Sequence, residues 1–278
     1  MVWRAIAAVV AMLPWRWLGV PGAALGWVVG SVLRIRRRHA LQSMRRAGIP
    51  DPSAALAAMY ASLGTLVFEL LWTAGRRNHA VADRVSVPPE QWRAVDSALA
   101  RGNGLVVATA HTGNWDLLAC AMAARVPLMV VTRHLSWASL DRFWQALRSE
   151  RGVVLVDARG TLGRASAHLR AGGVVAFLID QRPLDDRGTE QVEFLGAPAR
   201  YERAFADLAA RCRAPVALAL AERGPAGQHR LAIPLLLDPP DRPSRAWVRQ
   251  VVRDVAKRLD AHVRNDPGQW LWLHRRWG

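Results

Sequence analysis

The later two thirds of the chain alternate between short apolar runs and stretches with helical spacing of apolar residues. Strands that are apolar throughout need cover on both faces, and this alternation is typical of a parallel sheet wrapped by helices. We therefore predict an α/β fold with a largely parallel central sheet flanked by helices. The predicted strands span residues 104–110, 128–132, 153–156, 174–179, 215–221 and 230–236. The predicted helices span residues 53–74, 90–101, 115–124, 138–150, 161–171, 201–213 and 244–264.

The first 33 residues follow a different pattern, because residues 5–33 are almost wholly apolar. Pro14, Arg16 and Pro21 interrupt this stretch, whereas a continuous membrane-spanning helix needs about 20 apolar residues. The interruptions favour two short helices, over roughly residues 3–13 and 22–33, that lie in or dip into a membrane interface.

A run of arginines between Arg34 and Arg46 follows the apolar stretch. Basic residues in this position suit an anionic membrane surface, with each charge worth about 1 kcal/mol, although a solvated helix face gives the same pattern. We predict an N-terminal membrane-anchoring segment over residues 1–50 and an α/β catalytic domain over residues 51–278.

Composition adds a strong charge to this picture. The formal net charge is +16, and the chain has 13 tryptophans that cluster towards its two ends. An excess of positive charge implies an anionic partner, which is a phospholipid surface, an acidic carrier protein or nucleic acid. Because the tryptophans lie in apolar segments and no nucleic-acid motif is found, we expect an anionic membrane surface and no nucleic acid. Cys120 and Cys212 have neither disulfide nor metal spacing.

Candidate chemistry begins where the predicted strand 104–110 ends, at His111. Gly113 permits a sharp turn, Asn114 is a good N-cap for the next helix, and Asp116 falls in its first turn. A carboxylate there can hold one imidazole nitrogen while the other takes a proton from a hydroxyl. This His-x4-Asp arrangement favours direct attack of an acceptor hydroxyl on a thioester. A serine nucleophile elbow and a metal-ligand cluster are both missing from the sequence.

Further candidates for substrate binding lie at the ends of other elements. Asp180 and Gln181 follow the strand 174–179, where ligands of α/β sheets commonly bind. Arg148 and Arg151 end a helix; they are candidates for phosphate binding, although cations also suit the helix dipole there. Asn114 is a substrate-binding candidate too, with helix capping as the alternative.

The segment from His111 to Asp116 resembles the His-x4-Asp/Glu signature of the bacterial lysophospholipid acyltransferases, and specifically of their late lipid A (lauroyl/myristoyl) branch. The other segments that resemble this branch are residues 34–72, 131–133, 180–181, 194–199 and 269–277. Together they cover nearly the whole chain in order. The resemblance implies a glycerolipid-acyltransferase-like fold and an enzyme at the cytoplasmic face of the bacterial inner membrane.

The same resemblance implies an acyl-carrier-protein or CoA thioester as co-substrate, a lipid acceptor, and neither a metal nor a cofactor. It makes His111 the general base, Asp116 its orienting partner and Arg133 a contact for an acceptor phosphate. The branch usually has Glu at the position of Asp116, and Arg182-Pro183 replaces a Gly-rich stretch. We therefore expect a lipid A precursor or a related membrane lipid as acceptor. The alternatives are an acyltransferase for another lipid, such as an ornithine lipid or a glycolipid, and a weakly catalytic, membrane-bound partner protein.

Overall fold

The computed structural model describes residues 2–76, 81–158 and 160–277 and is built around one large sheet. The strands are β1 (Val85–Ser86), β2 (Leu105–Thr109), β3 (Leu128–Thr132), β4 (Val154–Asp157), β5 (Val174–Leu178), β6 (Thr189–Phe194), β7 (Ala197–Glu202), β8 (Val216–Arg223) and β9 (His229–Leu237). The helices are α1 (Val2–Val10), α2 (Gly19–Trp27), α3 (Arg37–Arg46), α4 (Pro52–Ala74), α5 (Pro89–Leu99), α6 (Trp115–Ala123), α7 (Ala138–Glu150), α8 (Leu162–Arg170), α9 (Ala204–Cys212) and α10 (Arg245–Asn265).

The central sheet has the strand order β1-β9-β8-β2-β5-β3-β4 and is parallel except between β8 and β9. The predicted largely parallel sheet is thus confirmed. The two short strands β6 and β7 form a separate antiparallel hairpin that the sequence analysis did not predict. Its alternation of buried and exposed positions is clear only around Val192, Phe194, Ala199 and Tyr201, and the helix predicted from residue 201 begins at Ala204 instead.

Two apolar cores lie on opposite faces of the sheet. Because side chains alternate along a strand, β2 sends Val106 to one core, with α4, α9 and α10, and Val107 to the other, with α5 and α6. Both residues are buried. This explains why the predicted strands are apolar throughout.

The pairing of β2 with β5 determines what meets at the carboxyl end of the sheet. Thr109 is paired with Leu178 in parallel register. The residues two positions beyond this pair are His111 and Asp180, so the register brings them side by side at the edge where ligands of α/β sheets bind.

Helix α2 packs closely against α4 through small residues. A side chain at Gly22 would meet the Thr65 backbone at 2.4 Å, and one at Gly26 would meet the Tyr60 carbonyl oxygen at 2.1 Å. Gly64 of α4 lies equally close to the backbone of α2. Small residues four apart allow this approach of two helix backbones, which fixes α2 onto α4.

The N-terminal segment forms short helices, as predicted. Val2–Val10 and the helical stretch Trp15–Val32 are bent by 104° relative to each other. Among the described residues, one single helix, α4, is long and apolar enough to cross a membrane, but 56% of its apolar window is buried inside the protein. The exposed large apolar side chains of the N-terminal segment are Val2, Ile6, Val9, Met12, Trp17, Val20, Trp27, Val28, Val32, Leu33 and Ile35.

Candidate active site

His111 lies directly beyond β2, and both of its ring nitrogens have partners. Its Nδ1 is 2.8 Å from Oδ1 of Asp180, and its backbone N–H donates to Oδ2 of the same carboxylate at 2.9 Å. Its Nε2 is 3.3 Å from Nε2 of Gln181. The ring also packs edge-on against Trp115, with 4.8 Å between ring centroids. The imidazole is therefore fixed in position by two strand ends and one helix start.

The surroundings of Asp180 favour its ionised form, although only 1% of its surface is exposed. Besides its two contacts with His111, it accepts a hydrogen bond from the indole N–H of Trp270 at 2.8 Å. Burial by itself raises the pKa of this carboxyl. The charge of His111 and the three hydrogen bonds outweigh that effect and hold the pKa well below its usual value. An ionised Asp180 fixes the proton of the neutral imidazole on Nδ1 and leaves the lone pair on Nε2.

The predicted partnership of His111 with Asp116 is corrected by this geometry. Asp116 is also buried, but its Oδ1 accepts from Nε of Arg148 at 2.6 Å and its Oδ2 from the indole N–H of Trp144 at 3.0 Å. Asp116 lies in the first turn of α6 and faces α7. Asp180 follows the neighbouring strand β5 and contacts the imidazole. The carboxylate that orients His111 is therefore Asp180.

A cavity of about 520 Å³ opens in front of His111. Its walls include Asp116, Arg133 and Arg148, so two of the three predicted arginines face the same space as the imidazole. Arg133 is paired with Glu202 at 2.8 Å at the rim, whereas Arg148 is held inside by Asp116. Both guanidinium groups are therefore paired with carboxylates, Glu202 and Asp116, that line the same cavity.

A narrow apolar slot leads from this cavity between α6 and the sheet. It shares Trp115, Asp116 and Arg148 with the cavity, so its mouth lies beside the polar site. The deeper walls of the slot are formed by Val107, Leu118, Ala119, Met122, Leu128, Val130, Val174, Ala176, Ala219 and Leu231. The slot has a volume of about 70 Å³, so it can hold a short stretch of hydrocarbon beside the polar cavity.

Asn114 caps α6, which was the alternative to its predicted contact with substrate. Its side-chain oxygen accepts from the N–H of Leu117 at 2.9 Å, and its amide N–H donates to Glu69 at 2.8 Å. Glu69, an acidic residue within the apolar helix α4, also contacts Arg223 and His229. Because the Asn114 amide is buried and engaged at both ends, its role is to hold the turn that follows His111.

Arg151, another predicted substrate-binding residue, contacts the backbone at the end of α4. Its side chain is buried and donates to the carbonyl oxygens of Thr73 and Arg76 at the carboxyl end of α4. Helix ends leave carbonyl groups without intrahelical partners, and a guanidinium satisfies them well. Burial lowers the pKa of Arg151. Its position indicates a structural contact between α7 and α4.

Residues 269–277, which we call the closing segment, complete the site. The N–H of Leu271 donates to the carbonyl of His111 at 3.1 Å, and the N–H of Gly113 donates to the carbonyl of Gln269 at 3.0 Å. Trp270 reaches Asp180, and His274 lies 5.4 Å from the His111 ring, centroid to centroid. The closing segment thus braces the strand end that carries the imidazole.

Several of these side chains have no role that the sequence predicts. Trp144, Trp270 and His274 were missed because their partners lie on other elements. One sequence feature could have identified Glu69 as a structurally important residue, because it is an acidic residue within the otherwise apolar helix α4. The signal for Trp270 was the resemblance of residues 269–277 to a known family, which gave no partner for the indole.

Comparison with known proteins identifies the family of the chain. The sequence model of the family described as bacterial lipid A biosynthesis acyltransferase matches residues 2–278. No curated protein gives a significant match. The match covers the N-terminal helices, the sheet and the closing segment together. The chain therefore belongs to the bacterial lipid A biosynthesis acyltransferase family.

Proposed function

We propose that this acyltransferase moves a fatty acyl chain from an acyl thioester, carried by acyl carrier protein or CoA, to a hydroxyl of a lipid A precursor or a related membrane lipid. The observation that carries the proposal is the imidazole of His111, fixed by a buried, ionised Asp180, with its other nitrogen at a cavity that joins an apolar slot.

In the proposed reaction, Nε2 of His111 takes the proton of the acceptor hydroxyl as its oxygen attacks the thioester carbonyl carbon. The tetrahedral intermediate collapses with cleavage of the carbon–sulfur bond. The thiolate then takes the proton back from Nε2, so the products are an ester and a free thiol. Asp180 stabilises the imidazolium that exists between the two proton transfers.

The two regions beside His111 have separate roles in this proposal. The apolar slot, with a volume of about 70 Å³, accepts part of the acyl chain, because its deeper walls are aliphatic and its mouth lies at Trp115, which packs against His111. Arg133 and Arg148 lie on the wall of the cavity, where they bind phosphate groups of the acceptor or donor.

The N-terminal segment brings this site to a membrane. Its exposed apolar side chains and the arginines of α3 combine a hydrophobic face with positive charge, which suits an anionic lipid surface. Trp3 connects the segment to the cavity, because it packs against the exposed Trp137 next to the rim residues Leu135 and Ser136. We propose attachment to the cytoplasmic face of the bacterial inner membrane, where the lipid acceptor enters from the bilayer.

The test compares total lipids of a bacterial host that produces the intact protein with those of the same host producing His111→Ala. We expect mass spectrometry to find a lipid that gains one acyl mass only with the intact protein, which would also identify the acceptor and the chain. Immunoblotting of membrane fractions checks that both proteins are present in equal amounts.

Purified protein supplies the second part of the test. With lauroyl-CoA or lauroyl acyl carrier protein and vesicles that contain an under-acylated lipid A precursor, we expect ester formation by the intact protein. The expected loss for His111→Ala is at least about 10³-fold, since the base and its imidazolium are both removed. Undiminished ester formation by His111→Ala would overturn the proposed mechanism.

A further inference from the structure

Nε2 of His111, the ring nitrogen that does not contact Asp180, is covered by the side chain of Gln181. Ionised Asp180 only accepts hydrogen bonds, so Nδ1 of the neutral imidazole carries the proton and Nε2 carries the lone pair. Nε2 of Gln181 is 3.3 Å from this lone pair. An amide nitrogen only donates, so Gln181 donates an N–H to the atom that acts as the base.

The second N–H of the same amide is held by His274. Nε2 of Gln181 is 3.0 Å from Nε2 of His274, which accepts only while its ring is neutral. Burial lowers the pKa of His274 to about 4, and a positive charge on His111 lowers it too. His274 is therefore neutral near pH 7 and accepts from Gln181, which ties the amide between two imidazoles.

The backbone around this amide is fixed as well. Arg276 is buried and donates to the carbonyl of Gln181 at 3.3 Å. The carbonyl of His274 accepts from the ring of His39 at 3.0 Å, and the neighbouring carbonyl of Leu273 accepts from Arg36 at 2.8 Å. Gln181 thus joins the strand end after β5 to the closing segment and, through it, to the basic helix α3.

We propose that Gln181, held by His274, is a positioning residue that covers the lone pair of His111 until an acceptor hydroxyl displaces it, and thereby suppresses hydrolysis of the thioester by water. The inference rests on the proposed acyl transfer with His111 as base. An acceptor lipid brings binding energy from its contacts with the cavity, which offsets the loss of one hydrogen bond. A water molecule brings no such energy.

Two nucleophiles compete for the base at this site. Water and an acceptor hydroxyl are both nucleophiles that need the same lone pair, and an imidazole nitrogen has only one. A net hydrogen bond of about 0.5–1.5 kcal/mol corresponds to roughly a 2- to 10-fold preference. When Gln181 rotates away for the acceptor, its amide keeps the contact with His274 and returns after product release.

The test measures two products of one reaction, the acylated acceptor and free lauric acid, from lauroyl-CoA and vesicles that contain an under-acylated lipid A precursor. Gln181→Met keeps a similar volume and removes both N–H donors. We expect it to raise the ratio of free acid to ester roughly 2- to 10-fold. This ratio does not depend on the fraction of folded protein, so partial misfolding does not imitate the effect.

The matched control is Gln250→Met, which makes the same substitution on the exposed side of α10, where Gln250 donates to Asp254. We expect its product ratio to equal that of the intact protein. His274→Phe keeps a ring but removes the acceptor, so it should raise the ratio less than Gln181→Met does, because Gln181 keeps its contact with His111.

A pH profile separates positioning from bulk packing. In Gln181→Glu, a carboxylate replaces the amide next to Nε2 and favours the protonated imidazole. We expect the acid limb of the profile of kcat/KM to move upwards by roughly 1 pH unit or more. Gln250→Glu should leave the limb in place.

The outcomes distinguish this inference from the proposed function. If His111→Ala retains ester formation, the proposed function itself fails. If His111→Ala forms neither product but Gln181→Met gives the product ratio of the intact protein, or forms neither product, the inference alone is overturned.

Discussion

Asp180 and Asp116 are two buried carboxylates near His111, and they differ in what they bind. Asp180 faces an imidazole and accepts N–H groups from His111 and Trp270. Asp116 faces a permanent cation, the guanidinium of Arg148, and an indole N–H. A carboxylate beside an imidazole tunes a proton acceptor, whereas one beside a guanidinium neutralises and positions a cation. The partner, and not the distance along the sequence, decides the role of each carboxylate.

The largest expected effect comes from Asp180→Asn. An amide at this position cannot stabilise the imidazolium and allows the wrong tautomer of His111, so we expect kcat to fall roughly 10³- to 10⁴-fold, as for the carboxylate of a catalytic triad. Steady-state ester formation is the measurement, with Asp254→Asn, a half-buried aspartate on α10 that contacts Gln250, as the control. A loss of less than about tenfold would mean that Asp180 does not serve His111.

Asp116→Asn should mainly affect stability. Removal of its charge leaves Arg148 buried without its carboxylate, which we expect to lower the free energy of unfolding by about 3 kcal/mol. Urea denaturation measures this loss. Because Asp116 does not contact the imidazole, the acid limb of the pH profile of the remaining activity should stay where it is in the intact protein. A shift of the acid limb would instead support the role predicted from the sequence, with Asp116 as the orienting partner of His111.

A smaller effect appears in the pH dependence of stability. The ordinary pKa of an aspartate is 3.8, and the pKa of Asp180 in the folded protein lies well below it. The unfolded chain therefore binds a proton first as the pH falls, and the stability that ionised Asp180 contributes is lost below about pH 4. We expect the difference in unfolding free energy between the intact protein and Asp180→Asn to be constant above about pH 5 and to shrink below pH 4. A constant difference down to pH 2 would contradict the assignment.

Local patterns in the sequence were sufficient to predict the strand ends. The apolar runs before His111 and Asp180 identify β2 and β5, because strands covered on both faces contain few polar residues. The same argument identifies polar residues beyond the strands as candidates for a site. It gives positions along the chain but no distances between strands.

The pairing of side chains was beyond the sequence pattern. His111 and Asp116 are five residues apart, which favours a local partnership, whereas Asp180 arrives only through the neighbouring strand in parallel register. That register depends on which strands are adjacent in the sheet. The closing segment adds contacts of the same non-local kind, since Trp270 and His274 lie far from Asp180 and Gln181 along the chain. The hairpin of β6 and β7 was missed for a related reason, because half of its residues are polar.

The closing segment has a consequence for the order in which the protein folds during its synthesis. The apolar N-terminal helices leave the ribosome first, whereas Trp270, Leu271 and His274 leave it after every strand of the sheet. A growing chain can therefore reach a bilayer while His111 still lacks the indole and the second imidazole around it. On the proposed function, acyl transfer begins only after the last elements have docked, so we expect a chain that is released without the closing segment to consume no acyl donor.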